Sequence, residues 1–402
     1  MMIRDPAANL RPIKTFGFLL AVFGTSFSIS ICGIGLGIYV GAMILTAMLD
    51  RQYEWRPYPA WRFLVPLLAS LAVSTVISDY RWVSLRGFGK YLEGFLLLYA
   101  GIDVVRSEKD KKALIFALAA AYGLAAADGV YQKLAGMDLL HGHLINIYVD
   151  GVMRLTGPFK HCNDFGTFLV PGLVISLALA LDLMRRKKWA ASVLWFALLA
   201  VLGWALVNTL SRGAILAAFA ALFFFCLFFR ARRHAVLPVA GTLALLWTIP
   251  SPLRDRLHEL SSLKAGNMPE RILLLKTSLR MIAEGPVFGL GLNTYSDNFP
   301  KFKPPDYPAH MYAHNSYLQM ATESGVLGVA LLLAFIVAVM LRCRKKLVGR
   351  QDGDSFKIFG AALLAGAFGI LVNGLFDSVL QSTQLRTLFW SLAGVALAIA
   401  SL

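Results

Sequence analysis

The stretch "TESGVLGVALLLAFIVAVMLRCRKK" (residues 322–346) contains the features that decide the fold. Apolar residues dominate positions 322–341, about the 20 residues that an α-helix needs to cross the hydrocarbon core of a bilayer. A basic cluster follows directly at 342–346, and such clusters are typical of the cytoplasmic ends of membrane helices. The stretch therefore predicts a membrane-spanning helix whose C-terminal end faces the cytoplasm.

The same pattern recurs along the chain, which has 402 residues, 57% of them hydrophobic and only 15% charged. A soluble domain carries about 25% charged residues. Apolar blocks of about 16–22 residues alternate with short polar or basic segments, which predicts an all-α, polytopic membrane bundle of about 12 transmembrane helices. The spans are expected near residues 16–32, 34–49, 61–78, 88–105, 112–131, 164–184, 189–207, 213–229, 235–250, 322–341, 356–375 and 386–402.

The boundary between the first two spans depends on three glycines. Residues 15–49 are apolar throughout, and Gly33, Gly35 and Gly37 interrupt them. These glycines are consistent with a tight turn between two helices, which we adopt, and equally with a small-residue packing face within one long helix.

Basic clusters set the orientation of the bundle. With twelve spans, all of them and both termini fall on the cytoplasmic side of the membrane. The chain then divides into helices 1–9 (1–250), one long outer loop (251–321) and helices 10–12 (322–402). The clusters are Arg51, Arg56 and Arg62, the segment 106–112, and the runs at 185–188, 230–233 and 342–346.

Cations are also numerous on the outer side. Eight lysines and arginines lie in the long loop between Arg254 and Lys303. Long loops cross the membrane whatever their charge, so this count is either uninformative or the sign of a chamber that binds phosphate groups. Arg212 favours the chamber, because "NTLSRGA" (208–214) is a very short outer turn, where a charge is costly unless it is paired or functional.

The segment "PERILLLKTSLRMIAEGP" (269–286) predicts a helix within the loop, because Pro and Glu begin it and Gly-Pro ends it. Its apolar stripe would lie on the membrane surface or pack against the bundle, and the two readings are compatible. The stripe consists of Ile272, Leu275, Leu279 and Ile282, with Arg271 on one edge and Lys276 and Arg280 on the other.

A polar cluster, "PAHMYAHNSYLQMA" (308–321), precedes the tenth span. Upstream prolines exclude a helix there, so the next helix is expected to begin between Tyr312 and Asn315. His314 would then lie in the first turn, where the helix dipole favours a neutral imidazole able to accept a proton. Asn315 and Gln319 would line one polar edge of the helix.

A metal site is the rival chemistry for the histidines. His310 and His314 are four residues apart, and His141, His143 and His161 lie in another outer loop. We find no carboxylate that completes an HExxH-type set, and the four cysteines offer no CxxC pair. We therefore expect no metal and no other cofactor.

Four segments together resemble a known family. "RLTGPFKHCNDFGTFLVPGL" (154–173), "NTLSRGA" (208–214), "ERILLLKTSLRMIAEGPVFGLGLNTY" (270–295) and "HNSYLQMATESGVLG" (314–328) resemble, in that order, conserved segments of the O-antigen ligases. The wider superfamily includes O-antigen polymerases and bacterial protein O-oligosaccharyltransferases. The resemblance runs from Arg154 to the C-terminus.

The resemblance implies an inverting, metal-independent glycosyltransferase of the GT-C type in the bacterial inner membrane, active at the periplasmic face. Its donor would be a glycan on undecaprenyl pyrophosphate and its acceptor a sugar hydroxyl of lipid A–core, with membrane lipids around it and no nucleic acid as partner. By motif, Arg212 and Arg271 would bind the pyrophosphate and His314 would be the catalytic histidine.

Further polar residues are candidates for substrate binding. Arg154, His161 and Asn163 either shape the donor cavity or belong to a loop that caps the sixth span through Asn163 or Asp164. Lys276 and Arg280 are candidates for the phosphates of the acceptor. His310, Asn315 and Gln319 complete the set. We further expect an ion pair between Asp377 and Arg386, with contact to substrate as the alternative, and a pair between Lys90 and Glu93 along one helix face.

Two other functions remain as alternatives. A polymerase or protein oligosaccharyltransferase would use the same lipid-linked donor, but a polymerase more often divides its cations between two large outer loops. Here residues 132–163 hold only Lys133, Arg154 and Lys160. A transporter of a polyanionic lipid is more distant, because it would need charges along a path across the bilayer.

Overall fold

The computed structural model describes residues 10–50, 55, 60–144, 148–149, 152–228, 268–307, 311–351 and 353–402. Within these ranges the regular secondary structure is helical, apart from one small antiparallel hairpin formed by β1 (Tyr148–Val149) and β2 (Val152–Met153) and an isolated bridge between Met137 and Leu144. The helices are α1 (Arg11–Gly24), α2 (Ile29–Leu49), α3 (Trp61–Ile77), α4 (Arg81–Val104), α5 (Glu108–Ala135), α6 (Cys162–Arg185), α7 (Trp189–Asn208), α8 (Arg212–Cys226), α9 (Met268–Glu284), α10 (Tyr295–Phe302), α11 (Ser316–Val348), α12 (Ser355–Asn373) and α13 (Thr383–Ser401), with a 3-10 turn at Val379–Gln381.

Among the described residues, seven helices are long and apolar enough to cross a membrane, namely α2, α5, α6, α7, α11, α12 and α13. Two further apolar helices, α3 and α8, are shorter. The polytopic helical character is therefore confirmed, whereas the count of twelve spans stays a prediction. The predicted ninth span (235–250) and the basic run at 230–233 lie outside the described residues.

The turn between the first two helices lies at residues 25–28, so the predicted turn at Gly33 to Gly37 is wrong. Ser28 caps α2 by accepting a hydrogen bond from the backbone N–H of Ile31. Gly35 instead lies where α1 and α2 cross, and a Cβ there would be only 2.3 Å from the backbone nitrogen of Ala21. Small residues let two backbones approach this closely, which is the packing role that the sequence left open.

The centre of the bundle is formed by α6, α12 and α13, whose side chains are mostly buried. A second, smaller apolar cluster joins α9 and α10 to the residues just before α11. The cluster consists of Leu274, Met281, Tyr295, Phe299 and Ala313. It fixes the described part of the long loop against the end of the bundle.

Helix α11 contains a sharp break at Gly325, whose backbone has φ 69° and ψ 175°. This conformation is essentially restricted to glycine. A Cβ at this position would lie 2.1 Å from the carbonyl oxygen of Val287. The break therefore separates a short segment, 316–324, from the apolar remainder of the helix and makes room for the chain after α9.

Both ion pairs expected from the sequence are wrong. Arg386 Nη2 donates to Oε2 of Glu93 at 2.9 Å, because α4 and α13 pack together and bring these side chains face to face. Lys90 Nζ donates instead to Oδ1 of Asn293. Asp377 is thus available to other groups at its end of the bundle.

Candidate active site

The ends of four helices meet at one end of the bundle: the starts of α6, α8 and α11 and the end of α12. Ser316, the first residue of α11, donates its N–H to the carbonyl oxygens of Gly374 at 2.8 Å and Asp377 at 3.2 Å. A Cβ on Gly213 in α8 would lie 2.6 Å from Oδ1 of Asn373 and 2.8 Å from Cβ of Phe376. The turn after α12 is therefore held between the first residues of α8 and α11.

His314 and Asp377 form a hydrogen-bonded pair at this junction, with Nδ1 and Oδ1 3.0 Å apart. The side chain of His314 is 38% exposed and that of Asp377 only 15%. An ionised carboxylate can only accept, so the imidazole carries its hydrogen on Nδ1 and leaves Nε2 to accept a proton. This is the geometry of a histidine base that a carboxylate orients.

The electrostatics of the pair follow from this contact. The hydrogen bond to Asp377 raises the pKa of His314, against the effects of burial and of the nearby Arg271 charge. Burial alone would raise the pKa of Asp377, but the hydrogen bond and charge of His314, with a further hydrogen bond from Asn163, lower it. Each partner thus favours the charged form of the other.

The backbone at His314 differs from the expected first turn of a helix. The helix begins at Ser316, and Asn315 is its N-cap, accepting from the N–H groups of Tyr317 and Leu318. His314 precedes the cap with a positive φ of 47°, a conformation uncommon for a residue other than glycine. The expected control of the imidazole by the helix dipole is therefore replaced by direct contact with Asp377.

Asn163 and Arg154 extend the pair into a chain of hydrogen bonds. Asn163 Nδ2 donates to Oδ2 of Asp377 at 2.7 Å, and Arg154 Nη2 donates to Oδ1 of Asn163 at 3.0 Å. Arg154 Nε also donates to the carbonyl oxygen of Thr209 at 2.8 Å, just before α8. Asn163, itself held by Arg154, thus binds the carboxylate oxygen of Asp377 that His314 does not contact.

The cap of α6 comes from His161, which corrects the expected cap at Asn163 or Asp164. The side chain of His161 accepts the backbone N–H of Asn163 at 3.1 Å. Burial lowers the pKa of His161, and the charges of Arg154 and His314 act in the same direction, whereas Asp377 opposes them. His161 therefore lies within electrostatic range of the His314–Asp377 pair.

Arg212 and Arg271, the two arginines that the family resemblance names as binding the pyrophosphate, lie near this junction. Arg271 shares a face of α9 with Leu274 and Ser278, which pack inward, and its charge acts on His314. Arg212 is the first residue of α8, behind the N-cap Ser211 and beside Gly213. Its position places it next to the turn that carries Asp377.

Other predicted site residues lie elsewhere or have structural contacts. Lys276 and Arg280 are exposed on the outer face of α9, as are Ile272, Leu275 and Leu279 of the predicted apolar stripe. Asn315 Nδ2 donates to the carbonyl oxygen of Leu375 at 3.0 Å, and the buried Gln319 donates to Glu323 at 3.1 Å. His310 lies outside the described residues.

Sequence reasoning missed the roles of two carboxylates. Asp377 follows an apolar span in "NGLFDS" (373–378), and its partner was sought along the chain rather than across the fold. Glu323 is almost completely buried in α11 and accepts the backbone N–H of Asn293 at 2.8 Å. A carboxylate at the start of an apolar run was the signal that marked it.

Comparison with known proteins agrees with the sequence resemblance. Residues 195–333 match a family model described as O-antigen ligase. This region includes Arg212, Arg271 and His314, whereas Asn163 and Asp377 lie outside it. No curated protein matches the chain at a significant level. The family covers O-antigen ligases and related polymerases and oligosaccharyltransferases, which transfer glycans. On this match, together with the segments quoted above, residues 195–333 are similar to the O-antigen ligase family.

Proposed function

We propose that this protein is an O-antigen ligase, which transfers a glycan from undecaprenyl pyrophosphate to a sugar hydroxyl of lipid A–core. The observation that carries the proposal is the 3.0 Å contact between His314 Nδ1 and Asp377 Oδ1 in a site that also holds Arg271. Sugar transfer from a pyrophosphate requires a base for the acceptor and fixed cations for the leaving group. In this proposal His314 is the base and the arginines are the cations, all within the matched family region. Asp377, in the turn after α12, orients the base.

In the proposed reaction, the acceptor oxygen attacks the anomeric carbon of the donor sugar and a new glycosidic bond forms. The bond from that carbon to the pyrophosphate oxygen breaks, and its electron pair leaves with the pyrophosphate. The hydroxyl proton passes to Nε2 of His314, while Asp377 holds the ring and stabilises the imidazolium. Attack opposite the leaving group inverts the anomeric centre and requires no metal.

The arginines act on the leaving group. Negative charge develops on the pyrophosphate oxygens as the bond breaks, and Arg271 and Arg212 are positioned to stabilise it. A planar guanidinium binds two phosphate oxygens at once, and its effect is largest where water is scarce. Asn163 and Arg154 act through Asp377 and hold the base in place.

The proposed orientation puts this junction at the periplasmic face of the inner membrane. The opposite end of α11 carries the basic run at 342–346, which the positive-inside rule assigns to the cytoplasm. The exposed apolar stripe of α9 would then rest in the outer leaflet. Lys276 and Arg280 beside it are positioned to meet anionic headgroups or the phosphates of the acceptor.

A lipopolysaccharide gel tests the proposal. A host lacking the gene is complemented with the native chain, with His314→Ala, or with Asp306→Ala as a control from an exposed part of the long loop, and membrane levels of each variant are compared. The native chain and the control should restore the ladder, while His314→Ala should leave bare core and accumulate glycan on the lipid carrier. Core with one repeat in the deletion host would instead indicate a polymerase, and an unchanged ladder would exclude both functions.

A further inference from the structure

A second group of chemistry-bearing side chains lies in the loop after α5. Asp138, His141 and His143 each offer one atom, and the three atoms lie within 4.8 Å of one another. Asp138 is 3% exposed, whereas the side chains of His141 and His143 are 33% and 70% exposed. Gln132 near the end of α5 bonds to the backbone of Thr156, so this loop lies at the same end of the bundle as the α6 N-terminus.

The backbone of the loop holds the carboxylate of Asp138 in one orientation. Its Oδ1 accepts the N–H of His141 at 2.5 Å, and its Oδ2 accepts the N–H of His143 at 2.8 Å. The two imidazole rings stack with centroids 5.5 Å apart and an angle of 11° between their planes. Both Nδ1 atoms therefore face the same carboxylate.

The contact on the far side of His141 determines which nitrogen carries its hydrogen. Nε2 of His141 lies 3.0 Å from the carbonyl oxygen of Phe27, in the turn between α1 and α2. A carbonyl oxygen only accepts, so in a neutral ring Nε2 carries the hydrogen and Nδ1 presents a lone pair. That lone pair faces Oδ1 of Asp138 at 3.3 Å, so a cation that binds both atoms would make this contact attractive.

The side chains of Asp138, His141 and His143 lie close enough together for one metal ion to bind all three. His143 Nδ1 lies 3.7 Å from Oδ2 of Asp138, too far for a hydrogen bond. Two ligand atoms bound to one tetrahedral Zn²⁺ at about 2.0–2.1 Å are themselves about 3.3 Å apart. Metal-bound histidines also typically donate the other ring N–H to a carbonyl or carboxylate, as His141 does toward Phe27.

A second buried carboxylate adds negative charge to the same place. Asp128 in α5 has no exposed surface, and its Oδ1 accepts the N–H groups of Leu139 and Leu140, directly after Asp138. Its Oδ2 is buried without a hydrogen-bond partner in the described part of the chain. Asp128 interacts electrostatically with both Asp138 and His141. A divalent cation would compensate for the two neighbouring carboxylates.

We propose that Asp138, His141 and His143 bind a Zn²⁺ ion, with water as the fourth ligand. Two imidazoles and one carboxylate are a donor set that suits Zn²⁺. The sequence expectation of no metal rested on the lack of a carboxylate motif, and Asp138 supplies the carboxylate through a tight loop. The ion would fix the loop after α5 and, through His141 and Phe27, join it to the turn between α1 and α2. The site is separate from His314 and takes no part in sugar transfer.

Metal titration of the full-length, detergent-purified protein tests the site. After chelator treatment, Zn²⁺ is added in a calorimeter, and Co²⁺ is added separately to record its visible absorption. We expect one ion per chain and a Co²⁺ spectrum typical of tetrahedral coordination. His141→Ala and His143→Ala should each weaken binding at least tenfold, while Asp79→Asn, which removes an exposed carboxylate from another loop, should leave binding unchanged.

The variants keep the test decisive. His143 is the more exposed ligand, so its replacement should leave the elution volume and helical content unaltered. Three results would overturn the proposal: no saturable site, Zn²⁺ binding that survives both histidine replacements, or binding lost in His314→Ala but retained in His143→Ala.

Discussion

His314 Nδ1 lies 3.0 Å from Oδ1 of Asp377, a residue 63 positions further along the chain. The proposed base is in the matched family region, and the group that orients it is in the turn after α12. The carboxylate is itself held by Asn163 at 2.7 Å. The position of the base therefore depends on three segments that meet only in the folded protein, namely the start of α6, the residues before α11 and the turn after α12.

Asp377→Asn should reduce the transfer rate by about 100-fold or more, because an amide does not stabilise the imidazolium that forms. The substitution also changes the pH dependence. Asp377 raises the pKa of His314, and the base acts only when deprotonated, so activity falls as the pH drops through that pKa. Removing the carboxylate charge lowers the pKa, and the acidic limb of the profile should move to lower pH.

The measurement is transfer of lipid-linked glycan to purified lipid A–core over a range of pH. Asp306→Asn, in an exposed part of the long loop, is the matched control and should keep the native profile. An acidic limb that stays in place in Asp377→Asn would show that another group controls the base.

Arg271→Lys should lower kcat by at least about tenfold, because an ammonium does not bind two phosphate oxygens in the fixed geometry of a guanidinium. Arg280→Lys is the comparison, since Arg280 lies on the exposed face of the same helix. It should change only the KM for the acceptor. Steady-state kinetics with each substrate varied in turn separates the two effects, and equal losses of kcat would contradict the assignment of Arg271.

Gly325→Ala should destabilise the protein strongly. The backbone conformation at Gly325 costs about 1–3 kcal/mol for any other residue, and the new Cβ would lie 2.1 Å from the carbonyl oxygen of Val287. Thermal unfolding in detergent should show a markedly lower midpoint. Gly33→Ala is the control, because no atom lies within 4 Å of a Cβ there and alanine suits a helix interior better. A native midpoint for Gly325→Ala would mean that the break in α11 is not needed.

Glu323→Ala should lower the free energy of unfolding by about 1–3 kcal/mol, the usual penalty for leaving a buried hydrogen-bond donor without a partner. Glu323 accepts from the N–H of Asn293 and from Nε2 of Gln319, so it joins the chain before α10 to α11. Thermal unfolding checks this, with the exposed Glu284→Ala as a control expected to change little. Equal midpoints for the two variants would show that the buried carboxylate is dispensable.

The helical fold is largely readable from hydropathy because each membrane helix must satisfy its own backbone within one apolar segment. The details that failed depend on contacts between helices. Gly35 marks the crossing of α1 and α2 rather than a turn, and nothing local distinguishes these two uses of glycine. The break at Gly325 likewise reflects the carbonyl of Val287, which lies far away in the sequence.

Sequence motifs point to candidate residues of the site but not to the contacts between them. His314 and Arg271 come from quoted motifs, and the structure brings them within electrostatic range. Arg386, nine residues away, was wrongly predicted as the partner of Asp377, because an ion pair inferred from sequence alone is sought between residues that are close along the chain. Because α4 packs against α13, Arg386 forms its ion pair with Glu93 instead. The fold brings His314 and Asn163 into hydrogen-bonding contact with Asp377.

The position of Asp377 after α12 also determines when the enzyme becomes competent during its own synthesis. The chain enters the membrane from its N-terminal side, so Arg154, Asn163, Arg212 and His314 are all in place before the segment with Asp377 leaves the ribosome. A nascent chain that already displays the histidine therefore lacks the group that orients it. The turn after α12 therefore completes the candidate site, and under the proposed function a chain interrupted before this turn cannot orient its base.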